Sequence, residues 1–457
     1  MNNFRKIVQS QLKNILVTAL LILILVYCIF TFIGLLVQPT EIVACWLSLV
    51  VSILCIYLFK INEKINVFGL TSVLFLYIIC TNFGLSAVYY LLGEEYLSSF
   101  SKYTIAFLFS DQFVSAVILS IIATIVYAVF AVFGSLSGEK TKNQINDIQY
   151  NINSKESNRI VNIGYIFLLV TFFYFLFLIS NGNLNLTMSY SAYRESIINN
   201  NPLYVYILIF YSVGITYVIS AGNYKQIRIG IFMFVCTAFI LLATGNKGEV
   251  LYPVLACIGI SQYRGYKIKA KLIIFIMFIM FIFIPFITST RKYGVLNSFN
   301  EIGINFTGAF TEIGLQLRLT VNILEEFSSG MRSYLYGFSY YNPIVNILDL
   351  FIPFYSIRLE IPLLANFRLI YPNQGFNQVA ESYANFGLMG IILFFGLLGF
   401  LMAKVESRKL RPLQVAYFSS VVAVFINATR NSFSFVPAHL IILSVIYFLA
   451  KLSLRHN

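Results

Sequence analysis

The sequence contains a long series of apolar runs, most of them long enough to cross a lipid bilayer as a helix. A transmembrane helix needs about 17 to 25 predominantly apolar residues, because the hydrocarbon core of a bilayer is about 30 Å thick. Twelve runs approach or reach this length, at residues 15–37, 41–59, 67–92, 112–136, 160–180, 202–220, 229–244, 250–262, 272–289, 385–403, 412–429 and 434–450. The runs are continuous, whereas barrel strands alternate, so helices are favoured. The sequence predicts an all-α polytopic membrane protein with about twelve transmembrane helices.

Composition supports this assignment and limits the chemistry. Of the 457 residues, 59% are hydrophobic and only 11% are charged, whereas an ordinary soluble domain carries about 25% charged residues. All six cysteines lie inside apolar runs and no CxxC or HxxxH spacing occurs, which argues against disulfides and metal sites. The first run continues past Val37 without a small-residue cleavage site, so we predict a retained span and not a signal peptide.

The distribution of lysine and arginine predicts the orientation of the chain. With the N-terminus in the cytoplasm, most of the 31 basic residues fall in cytoplasmic segments, as the positive-inside rule requires. The basic residues left for external segments are Lys102, Arg194, Lys247, Arg291, Lys292, Arg318, Arg332, Arg358, Arg368 and Arg430. Both termini are then cytoplasmic. The formal net charge of +13 is largely a topology signal, and we expect no nucleic-acid partner.

One long interruption of the apolar series divides the chain into three parts. We predict an N-terminal transmembrane bundle of about nine spans at residues 1–289, a large external loop at 290–384 and C-terminal transmembrane helices at 385–457. Within the loop, residues 312–320 and 342–353 have the pattern of helices lying at the membrane surface. Residues 137–158 are polar and are predicted to form a solvated cytoplasmic linker.

Two external cations lie at the predicted membrane boundary. Lys247 belongs to the turn TGNKGE between two short apolar runs, and Arg430 directly follows a span. A cation at mid-bilayer costs about 2.5 to 3.5 kcal/mol on insertion scales, so such residues persist where an anionic partner is available. The alternative is that each side chain reaches toward lipid head groups.

A second external motif, SAYRE, contains Tyr193 and Arg194. Together with Tyr190, which lies just before the motif, Tyr193 has the chemistry to flank a sugar or a lipid head group, and Arg194 is a candidate ligand for an anion. The alternative interpretation is a surface charge pair between Arg194 and Glu195, which contributes well under about 1 kcal/mol.

The end of the large loop carries the polar segment GFNQVAESYANFGLMGI, which Gln374 precedes. Glu381 and Asn385 are four residues apart and share one face of a helix that enters the membrane. Such a pair can hold a hydroxyl-rich ligand, or act as a base and its orienter. The alternative is a polar first turn, where a glutamate suits the helix dipole. His439, in the last span, is interpreted as either a packed or a catalytic histidine.

Taken together, these motifs resemble the oligosaccharide repeat-unit polymerases of the O-antigen and capsule pathways, the Wzy type. The resemblance implies a membrane glycosyltransferase of GT-C-like architecture that is metal-independent and needs no cofactor. Its implied substrate is an undecaprenyl-diphosphate-linked oligosaccharide at the external face of the bacterial cytoplasmic (inner) membrane. A chain-length regulator and a flippase are implied partners, along with membrane lipid.

With this resemblance, the candidate residues take roles by their chemistry. Forked guanidinium and ammonium donors suit a departing diphosphate, so its predicted ligands are Arg194, Lys247, Arg291, Arg318 and Arg430. The predicted catalytic residues are Glu381, Arg430 and Arg194, with Glu381 activating or orienting the acceptor hydroxyl. The predicted sugar contacts are Gln374, Asn377, Asn385 and Tyr193. No metal ligands are predicted.

Three other functions remain compatible with the sequence. A ligase would pass finished glycan to another acceptor, but the ligases are similar in layout and carry an external-loop histidine that is missing here. A flippase or transporter of lipid-linked oligosaccharide would place ionisable residues at mid-span, whereas those found here lie in loops or at span ends. A purely structural membrane protein would leave the external arginines without a task.

Overall fold

The computed structural model describes most of the chain as helix. The described residues are 2–62, 64–93, 105–138, 154–185, 190–198, 201, 203–264, 308–351 and 376–455. The predicted span at 272–289 and two predicted site residues, Arg291 and Gln374, lie outside them. Within the described ranges the secondary structure is helical, without β-strands, which confirms the all-α fold class.

Fifteen α-helices are described, numbered here in chain order. They are α1 (Asn2–Phe32), α2 (Glu41–Ile61), α3 (Leu70–Leu92), α4 (Phe113–Leu136), α5 (Ser154–Ser180), α6 (Tyr190–Tyr193), α7 (Leu203–Ala221), α8 (Tyr224–Ala243), α9 (Gly248–Tyr263), α10 (Gly308–Gly314), α11 (Leu317–Ser328), α12 (Phe338–Phe351), α13 (Gln378–Glu406), α14 (Pro412–Arg430) and α15 (Val436–Arg455). A π-helical turn, Arg194–Ile198, follows α6, and short 3₁₀ turns occur at Ala106–Phe109 and Phe433–Phe435.

Nine of the described helices are long and apolar enough to cross a membrane. They correspond to nine of the predicted runs, while the predicted runs 202–220 and 250–262 coincide with the shorter apolar helices α7 and α9. The predicted number of twelve spans stays a prediction. Helices α1, α5, α8 and α15 bury less than a third of their apolar windows, whereas α3 and α4 bury more than three quarters. The exposed apolar faces therefore belong to the outer helices, where lipid would cover them.

Two hydrophobic cores organise the bundle. The first contains residues from α1 to α4 and from α13, and the second contains residues from α5, α7, α8 and α15. Helices α9 and α14 contribute buried residues to both cores. These two helices therefore join the halves of the bundle, and side chains at their ends lie where the halves meet.

Glycines allow the C-terminal helix α13 to pack directly on α4. A Cβ atom added at Gly399 would lie 2.3 Å from the carbonyl oxygen of Tyr127, and one added at Gly134 would lie 2.1 Å from that of Phe400. Small residues at helix crossings let backbones approach closely, which is how helices associate inside a membrane. The first and last thirds of the chain thus form one packed unit at this crossing.

A second close approach fixes a short helix of the large loop. A Cβ at Gly84 of α3 would lie 2.3 Å from the carbonyl oxygen of Phe310, and one at Gly314 would lie 2.0 Å from the amide nitrogen of Leu85. Helix α10 is therefore held against the wall of the bundle. The predicted single helix at 312–320 is wrong, because α10 ends at Gly314 and α11 begins at Leu317.

Helix α13 contains a break near its start. Gly387 has φ +59° and ψ −145°, a conformation that favours glycine. The break frees the carbonyl groups of Ala384 and Asn385, and these accept hydrogen bonds from the backbone N–H groups of Leu335 and Tyr336 at 2.9 and 3.0 Å. The loop between α11 and α12 is thereby fastened to α13.

Candidate active site

Charged side chains converge where α9, α10 and α14 meet. Lys247 immediately precedes α9, Glu312 lies in α10 and Arg430 is the last residue of α14. The Lys247 ammonium group forms an ion pair with Glu312 Oε1, and Arg430 Nη2 lies 3.8 Å from the same oxygen. These three side chains carry one net positive charge. We call them the cation cluster, and the end of the bundle that holds them the site end.

The cation cluster is largely enclosed by protein. The side chains of Lys247, Glu312 and Arg430 are 5, 11 and 16% exposed. Charges in such surroundings interact more strongly than in water, because the local dielectric constant is low. Burial of a cation is costly without a partner, so Glu312 stabilises both cations. The site can therefore present ammonium and guanidinium donors to an anion.

The SAYRE segment is tied to the turn that carries Lys247. The Tyr193 hydroxyl donates to the Tyr204 hydroxyl at 2.8 Å, and the Asn246 side-chain amide donates to the same Tyr204 oxygen. Burial raises the pKa of Tyr193, so this phenol stays protonated and can serve as a donor. Tyr193 is 0% exposed, and its predicted contact with sugar stays a prediction. The chain of hydrogen bonds places Arg194 at the site end, next to Tyr193 in the sequence.

Glu381 lies inside a separate hydrogen-bonded group. Its carboxylate accepts hydrogen bonds from the Ser339 hydroxyl at 2.7 Å, the Phe433 backbone N–H at 2.9 Å and the Gln378 amide at 3.2 Å. The residue is 0% exposed. These bonds join the first turn of α13 to α12 and to the connection between α14 and α15. We call this group the Glu381 anchor. The predicted catalytic role of Glu381 stays a prediction.

The two predicted asparagines are also buried. Asn377 caps α13 by accepting from the Val379 N–H at 2.7 Å, and its amide donates to Asn82 and to the Gln316 carbonyl at 3.0 and 3.1 Å. The Asn385 amide donates to the Ser339 hydroxyl and to the Glu381 carbonyl, both at 2.7 Å. Their predicted contacts with sugar stay predictions, and the bonds shown here position the loop.

The structure brings together some of the predicted diphosphate ligands. Lys247 and Arg430 meet in the cation cluster, whereas Arg318 lies half-buried at the start of α11, on a different helix from Glu312. The backbone of Arg194 is described at the π-helical turn, and Arg291 lies outside the described residues. In the described part of the chain, no group of three or more His, Cys, Asp and Glu side chains forms a metal-binding arrangement.

A cavity of about 280 Å³ lies inside the site end, between α7, α9, α14 and α15. Its walls are mainly apolar, and its polar lining includes Tyr204, Asn246, Glu249, Tyr252, Asn427 and His439. Asn427 lies one helical turn before Arg430 on α14, and Glu249 follows Lys247 by two residues. The cavity is therefore close to the cation cluster and can accept a small polar group.

The sequence alone did not identify Glu312 and Glu249 as site residues. Glu312 is 65 residues away from Lys247 in the chain, and no local pattern reveals such a pairing. For Glu249 a signal existed, because an acidic residue inside the boundary turn TGNKGE shares the unusual position of Lys247. An ionisable residue near an apolar helix is a functional-site hypothesis by default.

These features define a class, a multi-spanning helical membrane protein in which two enclosed cations share one carboxylate at one end of the bundle. The chain belongs to the O-antigen polysaccharide polymerase Wzy family, whose model matches residues 15–455. Protein CapE of Staphylococcus aureus is 32% identical over 423 residues, which cover 91% of this chain and 91% of CapE. No solved structure matches the chain, and the predicted GT-C-like architecture stays a prediction.

Family membership confirms the resemblance on which the sequence-based expectations depend. It supports a polysaccharide repeat-unit polymerase of the glycosyltransferase type. With nine described helices that are apolar and long enough to span a bilayer, it also indicates a multi-pass protein of the inner membrane. A lipid-linked oligosaccharide is the substrate that this family implies.

Proposed function

We propose that this protein joins undecaprenyl-diphosphate-linked oligosaccharide units at the outer face of the bacterial cytoplasmic membrane, in the synthesis of O-antigen or capsular polysaccharide. The growing chain moves from its lipid diphosphate to a sugar hydroxyl of the incoming unit. The observation that carries this proposal is the cation cluster, in which two enclosed cations share one carboxylate at one end of an apolar bundle.

The departing lipid diphosphate accumulates negative charge as the glycosidic bond breaks. Lys247 and Arg430 meet that charge, and the enclosed surroundings strengthen their effect relative to water. Arg194 is proposed as a third ligand, and the Tyr193–Tyr204–Asn246 hydrogen bonds support this because they connect its sequence neighbour to the turn that carries Lys247. Arg291 and Arg318 are additional candidates within the large loop.

Both substrates keep their lipid tails in the membrane, which accounts for carbohydrate chemistry in so apolar a protein. Because both reactants are held in the plane of the membrane, their encounter costs less translational and rotational entropy than it would in solution. The proposed division of the chain follows: residues 1–289 and 385–457 form the membrane-embedded scaffold, and residues 290–384 form a loop over the site at the outer face, with both termini in the cytoplasm.

The test is complementation of a strain that lacks this protein, read as the length distribution of its surface glycan. We expect the wild-type chain to restore long polymer, and Arg430→Ala and Arg194→Ala to leave single repeat units. Arg332→Ala is the matched control, because Arg332 pairs with Glu326 in the described part of the large loop, outside the cation cluster. It should restore long polymer.

Other phenotypes of the deletion strain would contradict the proposal. Polymer that remains on its lipid carrier would indicate a ligase. Absence of all external glycan would indicate a flippase. Wild-type glycan lengths with both alanine variants would show that the reaction requires neither Arg430 nor Arg194.

A further inference from the structure

Glu249 differs from the three buried glutamates of the described structure. Glu312 pairs with Lys247 and Arg430, the Glu381 carboxylate accepts three hydrogen bonds, and Glu406 accepts from the Leu70 and Thr71 N–H groups at 3.2 and 2.8 Å. The Glu249 carboxylate has no hydrogen bond or ion pair with any described residue. Glu249 keeps partial exposure where it lines a cavity. A carboxylate with little access to water and no partner among the described residues is costly, so a ligand that donates a hydrogen bond to it would be stabilised there.

The surroundings of Glu249 indicate where that ligand would lie. The side chain is enclosed within the bundle, and its remaining exposed surface faces the 280 Å³ cavity at the site end. Small-molecule sites start at about 300 Å³ and combine apolar walls with a few polar groups. This cavity has apolar walls with hydroxyl and carboxamide groups, which suit a sugar hydroxyl and its ring.

The cavity and the cation cluster are close enough to act on one reaction. Glu249 is two residues from Lys247, so their Cα atoms are at most about 7.6 Å apart. On the facing helix, Asn427 lines the cavity three residues before Arg430, a rise of about 4.5 Å. A hydroxyl in the cavity would therefore lie beside a diphosphate held by the cluster.

We propose that Glu249 is the catalytic residue that accepts the proton of the acceptor sugar hydroxyl, an inference that rests on the proposed polymerase function. The hydroxyl proton passes to a Glu249 carboxylate oxygen, and the hydroxyl oxygen forms a bond to the anomeric carbon of the donor sugar. The bond between that carbon and the diphosphate oxygen breaks, and its electron pair leaves with the lipid diphosphate. Lys247 and Arg430 meet the added charge, and Glu249 later releases its proton to water.

His439 is the other proton acceptor that lines the cavity. Its Nδ1 lies 2.6 Å from the Phe435 carbonyl oxygen, an arrangement in which Nδ1 carries the proton and donates. That bond fixes the ring and leaves Nε2 as a proton acceptor, so His439 is the competing base at this cavity. We assign the role to Glu249 because it lies two residues from Lys247 of the cation cluster, and separate substitutions of Glu249 and His439 test this choice.

The experiment measures the initial rate of polymerisation against pH, with purified protein in vesicles and a lipid-diphosphate-linked repeat unit as substrate. We expect Glu249→Gln to lower kcat by about 100-fold or more, since general bases contribute about 10²- to 10⁴-fold. The wild-type rate should fall at acid pH, where a carboxylate base becomes protonated, and this fall should be absent from Glu249→Gln. Binding of the lipid diphosphate should change by less than about threefold, a result that a merely structural role would not give.

The matched control is Glu195→Gln, which removes an exposed carboxylate from the same end of the molecule. It should keep the wild-type kcat and profile. Glu249→Asp retains a carboxylate displaced by about 1 Å, so we expect the acid-side loss to persist with a reduced kcat. If Glu249→Gln does not accumulate, Glu249→Asp serves as the test. A wild-type kcat for Glu249→Asp would then overturn the proposal.

Two other results would overturn the assignment. Glu249→Gln could keep a wild-type kcat and profile, or His439→Gln alone could abolish the acid-side loss, which would transfer the role to His439. These results differ from failure of the proposed function, because in that case the wild-type protein itself would not lengthen the glycan.

Discussion

The two ends of the helical bundle use basic residues in opposite ways. At the site end, Lys247 and Arg430 are enclosed and share the carboxylate of Glu312. At the opposite end, a cavity of about 520 Å³ is lined by Lys155, Glu156, Arg159, Arg411, Lys451 and Arg455. Most of these cations are exposed. We call this second region the basic end.

The exposure of each set of cations determines how much hydration free energy is lost by placing it there. Exposed cations keep their hydration, and their placement needs no explanation beyond the bias that orients a membrane protein. Enclosed cations lose hydration and need compensation, which Glu312 supplies. On the proposed function, the cations of the site end are retained to bind the diphosphate, whereas those of the basic end need only act as a topology signal. Matched substitutions at the two ends test this comparison.

The largest contrast is expected between two arginines that both end a helix. Arg430 ends α14 at the site end, and Arg455 ends α15 at the basic end. Arg430→Ala should lower the polymerisation rate about 100- to 1,000-fold, the usual effect of removing one donor to developing charge. Arg455→Ala should stay within about twofold. The measurement is the initial rate of polymerisation with purified protein. Equal losses of rate in the two variants would contradict the proposed difference between the two ends.

A contrast in stability is expected between two glutamates. Glu312→Gln leaves Lys247 and Arg430 enclosed without their shared carboxylate, which should reduce the free energy of unfolding by about 3 kcal/mol. Glu156→Gln at the basic end should change it by less than about 0.5 kcal/mol, because its neighbours remain solvated. Thermal unfolding in detergent compares the two variants with wild type. An unchanged Tm for Glu312→Gln would mean that the cluster does not depend on this carboxylate.

The helices were far more predictable from the sequence than the site. Eleven of the twelve predicted runs coincide with described helices, because the length and continuity of an apolar run are local properties. The positions of Lys247 and Arg430 at the ends of apolar runs are also predictable, since a cation there is visible without knowledge of its neighbours, while their role as diphosphate ligands stays a prediction. Their convergence on Glu312 depends on Gly84 and Gly314, which bring α10 against α3, and no sequence period encodes that contact.

The Glu381 segment shows the same limit of prediction from sequence. The four-residue spacing of Glu381 and Asn385 correctly places them on one helical face, but it does not reveal what covers that face. Ser339 and the backbone of Phe433 do so, from 42 and 52 residues away in the chain. Conversely, Glu249 has no periodic partner in the sequence. Its position in the turn TGNKGE is a local signal, but the cavity that it lines is visible only in the structure.

A smaller effect should separate geometry from charge at Arg430. Arg430→Lys keeps the positive charge but removes the forked pair of donors, so we expect a rate about tenfold below wild type. Arg455→Lys is the control at the basic end and should have no effect. A wild-type rate for Arg430→Lys would show that a point charge suffices for the diphosphate.

The smallest expected effect concerns the Glu381 anchor. Glu381→Gln replaces an acceptor by an amide that faces the Phe433 N–H or the Gln378 amide, which should destabilise the protein by about 1 kcal/mol. Polymerisation should fall only in parallel with the amount of folded protein. A large loss of kcat at unchanged Tm would instead support the predicted role of Glu381 in acceptor activation.

The most direct measurement is the affinity of the purified protein for a short-chain polyprenyl diphosphate in detergent. The cation cluster predicts that Arg430→Ala weakens this binding by about 100-fold, the equivalent of about 2.7 kcal/mol, while Arg455→Ala leaves the Kd unchanged. Equal binding by wild type and Arg430→Ala, or an equal loss in both variants, would contradict the claim that the site end receives the lipid diphosphate.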